Sequence, residues 1–231
     1  MQEQVDRLVG DLLGKVQGLE PSKRLLVGVS GIPGSGKSSL ATKLVSALNA
    51  ASQATSSTTD IAICVGMDGW HYPRATLATF PNPQEAFDRR GAEWTFDAKR
   101  FADFVAVVKN DTSHTLTAPS FDHAKKDPLE DDVAVLPTHR VVVFEGLYCN
   151  CDIGEWKRAA RDFDTRLVFQ VPKDEARRRL VVRHVKTGVA RDEDEAIWRA
   201  DNNDLPNGDW LMSHLLEPYI EVKSIDDPSW R

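Results

Sequence analysis

A chain of 231 residues with 41% hydrophobic and 28% charged residues can bury a core, which excludes a disordered tail and predicts a single folded domain over 1–231. Its 29 Lys and Arg against 35 Asp and Glu leave a net charge of −6, which argues against a protein whose main task is neutralising nucleic-acid phosphates. No stretch reaches the about 18 apolar residues of a membrane span, and Cys64, Cys149 and Cys151 fit neither a disulfide framework nor a zinc knuckle; the expected setting is the reducing cytoplasm, with no nucleic acid, membrane or zinc.

Val5, Leu8, Val9, Leu12, Leu13, Val16 and Leu19 recur at helical spacing, which predicts an N-terminal packing helix over 1–20. Glu3, Asp6 and Asp11 set it apart from an acid-poor transit peptide. An apolar strand follows over 24–30, then a glycine loop and a helix over 40–50. The small polar stretch 50–60 reads as a surface connection, and 61–67 as a strand buried on both faces. A long excursion marked by Pro and Gly, 68–97, leads to a helix over 97–110; loops of this length are usually functional. Residues 115–118 are strand-like, 139–148 and 164–171 are further strands, and a charged helix runs from Pro172 to about Lys186 before Gly188. Strands alternating with helices predict an α/β fold of the P-loop NTPase type, a three-layer sandwich with a central parallel sheet and a helical lid over about 172–190.

The chemistry begins at Gly31-Ile-Pro33-Gly34-Ser35-Gly36-Lys37-Ser38-Ser39, which fits G-x-x-x-x-G-K-[ST] between a strand and a helix. Such a loop wraps phosphates with backbone N–H groups, here those of ATP, with Lys37 on the β- and γ-phosphates and the Ser38 hydroxyl toward Mg²⁺. A carboxylate must stand near that metal, and Glu145 closes the apolar run VVVFEG; the run Glu130-Asp131-Asp132 follows no apolar strand and reads as a solvated turn. Asp68 ends the other apolar run and is assigned as the base that takes a hydroxyl proton, with Trp70, His71 and Tyr72 able to wall a pocket.

GIPGSGKS, MDGWHYP, RRGAEWTFD, PSFDH and VVVFEGLY, in that order, resemble the phosphoribulokinase/uridine kinase family, which also includes bacterial-type pantothenate kinases. The resemblance covers about residues 24–210 and implies a metabolite kinase, in which the aspartate matching Asp68 is the usual candidate base and the Glu matching Glu145 sits on the metal side. Two departures stand out: Glu93, where relatives often carry Pro, and the short DHAKKD after PSFD, where uridine kinases have a longer arm.

Phe121, Asp122 and His123 offer a ring, an acid and an imidazole to an acceptor. Arg89 and Arg90 either hold an anionic acceptor group or solvate a loop. Arg179, Arg183 and Lys186 form a basic stripe at i, i+4, i+7, the position where related kinases carry lid arginines that touch nucleotide phosphates; Arg177 and Arg178 point elsewhere. The tail from 200 suggests a loop near the adenine edge, then a packing element in which Trp210, Leu211, Leu215 and Leu216 are core. The leading expectation is an ATP-dependent kinase acting on a hydroxyl of a nucleoside such as uridine, a pantothenate-like alcohol or a sugar. The alternative is a regulatory nucleotide-binding P-loop protein without turnover. A GTPase would need N-K-x-D, which does not occur, and a homodimer stays open.

Overall fold

The continuous apolar runs of the sequence become a parallel sheet covered on both faces, in a computed structural model that describes residues 1–55, 59–122 and 124–225. Residues 56–58 and His123 lie outside the described residues. The elements are α1 (Gln2–Gly18), β1 (Leu25–Gly31), α2 (Lys37–Thr55), β2 (Ala62–Gly66), a 3-10 turn (Met67–Trp70), α3 (Arg74–Leu77) and α4 (Pro83–Asp88). A second 3-10 turn (Glu93–Thr95), α5 (Ala98–Asn110), β3 (Leu116–Asp122), β4 (Asp127–Val135), β5 (Val141–Glu145), α6 (Gly154–Asp162) and β6 (Thr165–Gln170) follow. The chain continues through α7 (Lys173–Lys186), α8 (Glu193–Arg199), a π-helical turn (Ala200–Asp204), α9 (Leu205–Met212) and β7 (Ile220–Lys223).

Five strands pair in the order β2-β5-β1-β6-β7, all parallel. Successive side chains of a strand point to opposite faces, so a strand covered on both sides must be apolar throughout. Along β5, Val141 and Val143 join Leu8 and Leu12 of α1 and Leu40, Leu44 and Leu48 of α2, while Val142 and Phe144 join Phe101 and Val105 of α5 and Trp156 of α6. This is the three-layer arrangement expected. Phe144 is fully buried between the Phe101 and Phe163 rings, and truncating such a side chain costs about 3–5 kcal/mol. Outside the sheet, β3 and β4 form an antiparallel hairpin laid against the turn that carries Asp68.

Three local expectations are corrected. Helix α2 runs to Thr55, into the stretch taken as a connection, because its alanines keep helix propensity where the polar composition suggested a loop. The Glu130-Asp131-Asp132 run lies inside β4 rather than in a turn. All three side chains are exposed, and Asp131 adopts φ 54° while its carboxylate accepts from the Thr117 hydroxyl at 2.6 Å, so the strand shows no apolar alternation. Residues 200–204 are helical rather than a loop, and the packing element that follows is α9: Asn203 and Asn207 are buried one turn apart, Asn203 donating to the Arg90 carbonyl and Asn207 to the Asn203 side chain instead of competing with their own backbone. Of the expected core residues there, Leu211 is fully buried and Trp210 and Leu215 pack half-buried against the same core, with Trp210 also bordering a surface groove. The fifth strand, β7, was not expected; it has four residues and buries only Val222.

Candidate active site

Strand register brings the assigned residues to one edge. Val29 and Gly66 both stand opposite Glu145, so the loop after β1, Asp68 just beyond β2 and the last residue of β5 emerge together at the carboxyl ends of the strands, where open α/β sheets bind ligands. The loop needs its glycines: Gly34 has φ 78° and Gly36 φ 94°. A Cβ at Gly34 would lie 2.5 Å from the Ala176 carbonyl oxygen, so the loop and α7 touch backbone to backbone. Lys37 opens α2, and no acidic side chain occupies its first turn, which leaves the N–H groups of that terminus for an anion. Ser35 is fully buried and its hydroxyl has no hydrogen-bond partner among the described residues.

Glu145 is where the charges meet. Burial pushes its carboxyl up, Asp68 adds to the rise, and Lys37, the Ser38 hydroxyl bonded to it and Arg183 pull it down. One carboxylate therefore feels Lys37, Ser38, Asp68 and Arg183. The Ser38 hydroxyl and the Glu145 carboxylate are hard oxygen donors, the kind Mg²⁺ prefers when phosphates complete its shell, so this pair fits the metal position expected. Asp68 is exposed at its 3-10 turn, open to an incoming hydroxyl.

The basic stripe of α7 divides in two. The helix buries Ala176, Leu180 and His184, and the His184 ring pairs with the Asp204 carboxylate at 2.9 Å, tying α7 to the π-helical turn. Arg179 donates to the Ser35 carbonyl and to the Ser224 hydroxyl at 3.2 Å each, and to Glu175 at 2.8 Å. Its guanidinium braces the phosphate loop from outside. Arg183 and Lys186 are exposed, with Arg183 in electrostatic reach of Glu145. Arg177 pairs with Asp201 and Arg178 with Glu175, away from the loop.

On the acceptor side, the His71 ring lies 3.9 Å from Phe96 and 4.9 Å from Phe121, centroid to centroid, and its Nδ1 is 2.9 Å from the Asp68 carbonyl oxygen. Asp68, His71 and Phe121 are thus brought together. The Tyr72 ring meets Phe80. Arg90 donates to the Tyr72 carbonyl at 2.9 Å, to the Asp127 carboxylate at 3.0 Å and to the Lys126 carbonyl, with its guanidinium over the Phe121 ring. Arg89 donates to the Asn202 carbonyl and the Asn207 side chain, both at 3.1 Å. Both guanidiniums are half-buried and engaged within the protein rather than solvating a loop: Arg90 straps the β3–β4 hairpin and Arg89 reaches the π-helical turn and α9. Asp122 accepts from the N–H groups of Ala124 and Lys125 at 2.9 and 3.0 Å, which closes the hairpin turn.

Sequence reasoning passed over Asn203, Asn207 and Tyr148. Asn203 donates to the Arg90 carbonyl at 3.2 Å, and the Tyr148 hydroxyl donates to the Gly91 carbonyl at 2.8 Å, so both hold the 89–91 turn. The signal was the pair of asparagines at i, i+4 with a proline between them, which marks a helical turn whose polar face is needed elsewhere. Beside this turn an open groove of about 440 Å³ is bounded by Tyr72, Glu93, Trp94, Asp97, Ile153 and Trp210, among others. Of the acceptor residues assigned from sequence that lie among the described residues, Tyr72 alone borders it.

Residues 26–175 match the model of the phosphoribulokinase/uridine kinase family. A Schizosaccharomyces pombe protein provisionally named a uridine kinase is 38% identical over 210 residues, 91% of this chain and 87% of the relative. The chain belongs to the phosphoribulokinase/uridine kinase family. An Aspergillus versicolor relative, the ATP-dependent kinase-like protein notR', is 41% identical over 168 residues, 71% of this chain and 95% of its own. A crystal structure provisionally described as a fructose transport system kinase from Silicibacter sp. TM1040 is 30% identical with a TM-score of 0.79, covering 93% of this chain and 98% of that one. The structure of YFH7 from Saccharomyces cerevisiae, 20% identical over 96% of this chain and 99% of its own, shares the fold with a TM-score of 0.82. As a member of the phosphoribulokinase/uridine kinase family, the protein is a P-loop kinase whose family implies ATP as nucleotide, with Mg²⁺ as its usual companion.

Proposed function

We propose that the protein transfers the γ-phosphate of ATP to a hydroxyl of a small metabolite, with Asp68 as the base. The observation that carries this reading is the convergence of Lys37, Asp68 and Arg183 on Glu145, which sets a phosphate-binding charge, a solvent-open carboxylate and a lid cation around one point. Lys37 and the N–H groups of the loop hold the β- and γ-phosphates, and Arg183 approaches the transferring group from α7. Asp68 accepts the hydroxyl proton as the acceptor oxygen bonds to the γ-phosphorus and the bond to the β–γ bridging oxygen breaks, leaving ADP and a phosphate ester. Ser38 and Glu145 would hold Mg²⁺, which supplies charge neutralisation to the phosphates.

His71, Tyr72, Arg90, Phe121, Asp122 and His123 remain the proposed acceptor side, with Arg90 and Asp122 acting by holding the hairpin. The test is ADP release with Mg-ATP over a panel of nucleosides, sugars and pantothenate-like alcohols, with phosphoester product confirmed by mass. Asp68→Asn is expected to retain ATP binding and lose about 100-fold or more in kcat, the scale of general-base catalysis. ATP binding without ADP release for any alcohol in the panel would favour the non-catalytic regulatory reading instead.

A further inference from the structure

The groove beside the 89–91 turn has a composition that the phosphate chemistry does not use. Its walls include Tyr72, Trp94 and Trp210, with Trp94 39% exposed, and its charged groups are Glu93, Asp97, Glu155 and Lys99. Lys99 is neutralised by Asp103 at 2.7 Å and Glu155 by Arg158 at 3.2 Å. Asp97 caps α5 by accepting from the Arg100 N–H. Glu93, half-buried, meets no hydrogen-bond donor or cation among the described residues. The groove therefore presents aromatic faces around a surplus of negative charge, and a carboxylate in such a setting is stabilised by a cation.

We propose that this groove binds a protonated amine borne on a ring or apolar portion of the acceptor, with Glu93 as its counter-ion and Trp94 and Tyr72 as its walls. The proposal rests on the kinase reading only for the destination of the acceptor's hydroxyl. The buried Tyr148 ring packs on Phe96 and Trp210 of the groove, 5.6 and 5.3 Å between centroids, and Phe96 in turn meets His71 at 3.9 Å, whose Nδ1 is 2.9 Å from the Asp68 carbonyl oxygen, so the groove backs onto the turn that carries the proposed base. An acceptor seated here would place its ammonium at Glu93 and its hydroxyl toward Asp68. Specificity would then come from charge: a neutral analogue leaves the carboxylate without its partner and an anionic one is repelled.

The test separates binding from turnover. Full-length protein without ATP is titrated with benzylammonium and with its neutral isostere benzyl alcohol, followed by tryptophan fluorescence and calorimetry. The ammonium is expected to bind about tenfold tighter, the worth of a desolvated cation–π and ion-pair contact. Glu93→Gln, isosteric at a side chain with no partner to lose, is expected to abolish that preference, and Asp68→Asn to keep it. Equal affinities, a preference for the alcohol, no binding of either probe, or a preference that survives Glu93→Gln would each overturn the proposal. ADP release is then measured with hydroxyl compounds paired with their amino derivatives. Transfer to the neutral members alone defeats the amine inference while the kinase reading stands. Glu93-dependent ammonium binding with no transfer to any compound defeats the kinase reading and leaves the cation site.

Discussion

Arg179 on α7 donates to the backbone carbonyl of Ser35, 144 residues earlier in the chain, at 3.2 Å. The same helix lays the Ala176 carbonyl where a side chain at Gly34 would sit, so the phosphate loop is held from behind by the helix that carries Arg183, the proposed lid cation. Two arginines one turn apart consequently have separate jobs. Arg179→Ala is expected to lower thermal stability and weaken ATP affinity together, because it releases the loop. Arg183→Ala is expected to leave stability within about 0.5 kcal/mol and reduce kcat by about tenfold or more, because its side chain is exposed and is proposed to meet the transferring phosphate only in turnover. Thermal melts and steady-state kinetics of both variants check this; equal effects on melting would return the pair to a common role.

Lys37→Ala is expected to abolish turnover and weaken nucleotide binding, while the fold survives. The lysine side chain opens α2 at the sheet edge, and the charge it supplies to the phosphates is worth about 3 kcal/mol in comparable sites. Nucleotide titration beside a melting curve reads both quantities, and unchanged ADP release would remove the loop from the mechanism.

Glu175 couples loop and lid to acid. Its hydrogen bonds to Arg178 and then Arg179 hold the carboxyl down at about 2, below the ordinary 4.5. A depressed carboxylate contributes stability that is present above its unfolded value and is lost as the pH falls from about 4.5 toward 2. The pair is partly exposed, so screening limits the contribution to about 0.5–1 kcal/mol. Urea denaturation of Glu175→Gln against the parent should show the difference near neutral pH and its disappearance at the acid end; a difference that grows with acid would contradict the assignment.

Gly69→Ala should detach the hairpin from Asp68, the proposed base. A Cβ there would fall 2.2 Å from the Pro119 carbonyl oxygen, a backbone atom that cannot step aside alone, so β3 must move away from Asp68 and His71. The expected result is destabilisation of about 2 kcal/mol or more and a KM for the acceptor that rises while ATP binding persists. Retained stability and an unaltered KM would show that the two segments are not packed this closely in solution.

What a local pattern encodes was legible from the chain alone. The phosphate loop is a contiguous run whose glycines, lysine and serine need only their own backbone, and the buried strands show because both faces demand apolar side chains at every position. Asp68 and Glu145 were found as acids ending such runs, and parallel register then carried them to one edge. Partners distant in sequence were not legible. That Arg90 would pair with Asp127, Arg89 with Asn207 and Arg179 with Ser35 depends on which helix face meets which loop. Strand β4 hid behind exposed acids, and the polar run at 200–204 became helical as Asn203 bonds to the 89–91 turn and accepts from Asn207 one turn on. A guanidinium or an amide in the sequence carries donors without an address, and only tertiary packing, which penalises every buried donor left unpaired, decides where each is satisfied.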